Sequence, residues 1–79
     1  MKSFFGIIKE INNKNLIIRD LSNENKQTFF CPISSIKSNF KKKITIGSIV
    51  KAKQINLNKN NFFNPLLFRC EITKIFGFL

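Results

Sequence analysis

Histidine, tryptophan and tyrosine are absent from this chain of 79 residues, and only four of its residues are acidic. Without histidine, the side chain most used for general acid–base chemistry is missing. The acids Glu10, Asp20, Glu24 and Glu71 are scattered and form no paired-carboxylate motif. Glycine occurs three times, at isolated positions, so no phosphate-cradling loop can be built from them. Cys31 and Cys70 have no C-x-x-C spacing and no histidine to complete a zinc site. These absences argue against an enzyme and against a bound metal or cofactor. The cysteines read instead as small buried hydrophobes on neighbouring strands.

Long hydrophobic runs are also lacking. No stretch approaches the ~18 apolar residues of a membrane span. In the opening "MKSFFGIIKE", Lys9 and Glu10 interrupt the apolar run too early for a secretory signal. The expectation is a cytoplasmic chain without a membrane partner, its two thiols reduced. Its length fits one small domain over residues 1–79, which buries only about 60% of its unfolded surface.

What the chain has in excess is positive charge. Fourteen Lys and Arg against four Asp and Glu give a net charge of +10. Such a balance favours polyanions, nucleic acid before membrane. Lysine, asparagine and isoleucine have A/T-rich codons, so genome composition accounts for part of the lysine, though not for the scarcity of acids.

The rest of the pattern is β throughout, with short Ile-, Phe- and Val-rich runs separated by Asn-, Lys- and Ser-rich breaks. "SFFGIIKEI" (Ser3 to Ile11) is the first run, and "NNK" after it is a turn. In "NLIIRDL" (Asn15 to Leu21), Leu16 and Ile18 share one face while Ile17 and Arg19 share the other. "QTFFC" is the third run. "PISSIKSNF" has helical or 3₁₀ character, with Pro32 suited to a first turn. Gly47 opens a fourth strand in which Val50 and Ala52 alternate with Lys51 and Lys53. The last strand runs from Leu66 to Ile75, and "FGFL" is an apolar tail. No repeat is visible. Five strands with a short helical turn between the third and fourth fit an all-β, five-stranded Greek-key barrel of the OB type.

At the level of motifs the chain resembles the cold-shock domains. "GIIKEIN" is similar to their opening G-x-V-K-W-F-N. "FFCPISSIKSNFKKKITIGSIV" is similar to F-V-H-F-S-x-I-x-x-x-G-F-K-x-L-x-x-G-x-x-V, with matches at Phe30, Ser34, Ile36, Phe40, Ile44, Gly47 and Val50. Asn64-Pro65 and "EITKI" are similar to the family's ending. The resemblance implies a single-strand nucleic-acid binder with an aromatic platform. The departures lie in that platform: "KNLIIR" stands where the family has K-G-F-G-F-I, and Glu10, Ile11, Pro32 and Ile33 replace four more of its positions. Phe30 alone remains, joined by Phe40 in the following loop. Base–aromatic stacking contributes about 1–3 kcal/mol per base, so binding should be weaker, charge-driven and only weakly sequence-specific.

A second resemblance is to bacterial and plastid translation initiation factor one, on Gly6, Ile8, Glu10, Ile33, Ser34, Gly47, Val50 and "LLFR". It implies a binder of folded ribosomal RNA. For single-stranded DNA or RNA, the candidate residues are Lys9, Phe30, Phe40, Lys41, Lys42, Lys43, Lys51, Lys53, Phe62 and Phe63. Adjacent Phe29 and Phe30 must point to opposite faces of their strand, and the cold-shock resemblance implies that Phe30 is the outward one. A competing expectation is a protein-interaction or homodimer surface built from Ile11, Ile17, Pro32, Ile33 and the tail residues Phe76, Phe78 and Leu79.

Overall fold

The computed structural model describes residues 3–21, 27–55 and 67–77. Five strands, β1 (Ser3–Ile11), β2 (Asn15–Asp20), β3 (Thr28–Pro32), β4 (Ile49–Ile55) and β5 (Leu67–Gly77), close into a barrel in the order β1-β2-β3-β5-β4. β4 returns to pair with β1, so no edge is left open. All neighbours are antiparallel except β3 and β5, which run parallel. This is an OB-type barrel, as the pattern of short alternating runs leads one to expect. Between β3 and β4 lie a 3₁₀ turn (Ile33–Ser35) and a one-turn helix, α1 (Ser38–Lys41).

Alternation of side chains explains the interior. Phe4 and Ile8 of β1, Leu16 and Ile18 of β2, Phe29 and Cys31 of β3, Val50 and Ala52 of β4, and Cys70 and Ile72 of β5 form one buried cluster. Phe29 stacks on Phe4 with centroids 4.2 Å apart and meets Phe68 at 6.2 Å. Ile36 enters the same cluster from the β3–β4 connection, and Ile33, Phe40 and Ile44 pack against it. That connection therefore plugs one end of the barrel.

The turns follow from local chemistry. Asn12 Oδ1 accepts hydrogen bonds from the backbone N–H groups of Lys14 (2.9 Å) and Asn15 (2.8 Å), which folds "NNK" into the β1–β2 turn. Gly47, at φ 95°, supplies the left-handed residue before β4. Its N–H donates to the carbonyl of Ile8 (2.8 Å), and the Ile8 N–H donates to the carbonyl of Ser48 (3.0 Å). β1 carries a bulge there, with the register to β2 shifting between Ile8 and Glu10.

Several boundaries differ from the sequence expectation. Pro32 ends β3 and precedes the 3₁₀ turn instead of lying within it. β4 starts at Ile49, because Gly47 and Ser48 make the turn that feeds it. β5 continues through Phe76 to Gly77, which pairs with Ile49, so half of the supposed tail is strand. β2 ends at Asp20, one residue early.

Gly6 leaves no room for a side chain where β1 meets β2. A methyl group there would lie 2.5 Å from Ile18 Cγ2 and 3.0 Å from the Arg19 carbonyl oxygen. Gly6→Ala is expected to lower stability by roughly 1–3 kcal/mol through overpacking. Urea denaturation followed by circular dichroism checks this, and an unchanged midpoint would show that β1 and β2 can part without cost.

Candidate nucleic-acid interface

The outer face of β2, β3 and β5 brings several of the expected residues into one strip. Ile17 on β2 lies opposite Phe30 on β3, and Phe30 lies opposite Arg69 on β5. Phe29 is buried and Phe30 is half-buried, so the doublet divides between core and surface as alternation requires. On the far side of Ile17 the register brings in Glu10, next to exposed Lys9 at the bulge. Two residues along the strands, Asn15 faces Pro32. These two line a shallow groove of about 560 Å³ together with Asn13, Lys14, Ile33 and Ser34. The Ile33 N–H donates to the Lys14 carbonyl (2.9 Å), which ties the walls of the groove together.

Arg69 is the residue of this strip that sequence reasoning passed over. Its Nε is buried and has no hydrogen-bond partner among the described residues. An unpaired buried donor costs about 1–3 kcal/mol, more for a charged group. Arg69 sits between Phe30 of β3 and Ile55 of β4, a position that only the parallel β3–β5 pairing reveals.

The other expected residues do not converge on this strip. Lys41, Lys42 and Lys43 are exposed at the end of α1 and just beyond it, in the plug at one end of the barrel. Phe40 is half-buried against the core cluster. Phe62 and Phe63 lie outside the described residues. Lys51 and Lys53 face outward on β4, on the other side of the barrel, where Lys51 pairs with Phe5 and Lys53 with Ser3 of β1. Of the apolar surface weighed as a protein contact, Ile33 packs against the core, whereas Ile11 is exposed.

On that β1–β4–β5 side the structure presents a cluster the sequence reading did not assemble. Phe5 and Phe76 are 47% and 49% exposed, and their centroids are 5.9 Å apart at a 42° tilt. Lys51 Nζ lies 5.8 Å from the Phe5 centroid and Lys74 Nζ 5.2 Å from that of Phe76. Exposed cation–π contacts of this kind contribute about 0.5–1 kcal/mol each. Phe5 could have been found by the logic applied to Phe29 and Phe30, since Phe4-Phe5 is also an adjacent pair on a strand. Phe76 stands in the sequence as part of the apolar tail weighed as a protein contact, and its place beside Phe5 follows from β5 running on to Gly77.

The thiols belong to the interior. Cys31 and Cys70 are both buried and free, on neighbouring strands. The Cys70 thiol is hydrogen-bonded to Cys31, and this bond together with burial pushes its pKa well above the ordinary thiol value. Among the described residues there is no group of three or more metal-ligating side chains, and no helix is long and apolar enough to cross a membrane. Comparison with protein-family models, with curated proteins and with solved structures finds no match to this chain.

Proposed function

We propose that this barrel is a non-enzymatic binder of single-stranded nucleic acid, built on the plan of a cold-shock domain and acting in the cytoplasm. The observation that carries the reading is the outer strip in which Phe30 lies between Ile17 and Arg69 and leads past Asn15 and Pro32 into the Lys14 groove. A base stacks on the exposed part of Phe30, a contact that tolerates any base. The half-buried Arg69 beside Phe30 adds positive charge for the phosphate of that nucleotide. The next nucleotide enters the groove, where the amides of Asn13 and Asn15 and the hydroxyl of Ser34 offer hydrogen bonds and Lys14 draws the phosphate. Lys9 and the exposed Lys41, Lys42 and Lys43 add to the attraction without reading sequence.

One aromatic where a platform would have several implies modest affinity. Phe30→Ala should weaken binding of a labelled heptathymidine by about 5- to 150-fold, the equivalent of losing one stacked base at 1–3 kcal/mol. Because Phe30 is half-buried, the lower end of that range is expected. Fluorescence anisotropy with a label on the oligonucleotide is the measurement, since the chain has no Trp or Tyr. A folded Phe30→Ala protein that binds like the wild type would remove the strip from the account. Preference for a structured hairpin over the single strand would instead favour the likeness to initiation factor one.

A further inference from the structure

Nothing in the strip around Phe30 uses the aromatic cluster on the β1–β4–β5 face. Two phenylalanines left about half exposed side by side are an uneconomical surface unless something covers them. Their surroundings identify the occupant. Lys51 stands over Phe5 and Lys74 over Phe76, and the register sets Lys51 directly opposite Lys74 on the neighbouring strand. Lys53 lies two residues from Lys51 on the same outward face, and the acid across from it is Glu71. The cluster is therefore apolar at its centre and cationic around it.

We infer that the Phe5–Phe76 patch is a second contact for the same nucleic-acid strand, so that a longer strand continues from the Phe30 strip onto this face. The inference rests on the reading of the protein as a single-strand binder. A base arriving on either ring displaces the ammonium from the π face, and the released lysine turns to the phosphate of that nucleotide. Each ring thus comes with its own phosphate partner. OB-type barrels occupy roughly 4–16 nucleotides. The barrel measures 32 × 28 × 21 Å, small enough for one strand to touch two of its faces.

A second copy of the chain fits the patch less well. A two-fold contact would bring Lys51, Lys53 and Lys74 of one protomer against the same residues of its partner, between molecules that each carry +10. Lysine is also depleted in the centres of protein interfaces.

The test uses a twelve-nucleotide oligothymidylate, labelled and titrated by anisotropy at several salt concentrations including physiological salt, with three proteins beside the wild type. These are Phe5→Ala/Phe76→Ala, Lys51→Gln/Lys74→Gln and Phe30→Ala. The aromatic double variant should bind at least about fivefold more weakly, the loss of one stacking contact. The lysine variant keeps both rings and should lower the slope of log affinity against log salt by about 1.4, or 0.7 for each of two phosphate contacts. If the aromatic variant unfolds, the lysine variant decides alone. If both bind as wild type while Phe30→Ala is weakened, the second contact is wrong and the Phe30 strip stands. If the wild type itself does not bind, both fall. Sedimentation showing a wild-type dimer that becomes monomeric in the aromatic variant would assign the patch to self-association and overturn the inference.

Discussion

Replacing Phe29 with alanine will remove most of the protein's stability, while the same change at Phe30 will leave it nearly intact. Phe29 is 3% exposed, stacks on Phe4 and touches Phe68, so its removal opens a cavity among three rings. Phe→Ala changes in such positions cost about 3–5 kcal/mol. The total stability of a domain is only about 5–15 kcal/mol, and a short chain sits near the bottom of that range. Phe30 faces outward and is half-buried, so its truncation should cost about 1 kcal/mol or less. Circular dichroism in urea compares the two. Equal losses would mean that both rings serve the core and that the surface strip has no aromatic.

Salt should have a still larger effect on binding. The Phe30 strip has Lys9, Lys14 and Arg69 within or beside it, and the opposite face has Lys51, Lys53 and Lys74. If these make about six phosphate contacts, log affinity falls against log salt with a slope of about −4, from 0.7 per contact on a single strand. A fourfold rise in salt, from 50 to 200 mM, then weakens binding of a long oligonucleotide about 300-fold. With only three contacts the slope is about −2 and the loss about 20-fold. Anisotropy titrations at four or five salt concentrations give the slope directly. A slope near zero would mean that the lysines do not meet phosphates, and that the net charge has another origin.

The barrel was legible in the sequence because its interior obeys a period of two. Leu16 and Ile18 separate from Ile17 and Arg19 by alternation, and the structure places them accordingly; alternation also parts Phe29 from Phe30, but only the cold-shock resemblance points Phe30 outward. Ser3 to Ile11 coincides with β1 because Asn12 and Asn13 end it sharply. Pairing between distant strands left no such local trace. That β5 runs parallel to β3 and carries Arg69 to Phe30 follows from closing the whole sheet, not from any nearby residue. The Phe5–Phe76 contact joins the first strand to the last, across a register that includes two shifts between β4 and β5. Charge runs carry no address in the fold. Lys41, Lys42 and Lys43 stand out in the sequence, and the structure puts them at the end of α1 and just beyond it, not on a strand.

Whether the Phe30 strip receives a single strand can be read from an amide-resolved NMR titration of the wild-type protein with heptathymidine at physiological salt. Saturable shifts are expected, centred on Ile17, Phe30 and Arg69 and extending to Lys14 and Asn15 at the groove, with the interior amides of Ile18 and Val50 nearly still. Saturation that leaves those outer amides unmoved, or no saturable shift at all, would contradict that reading.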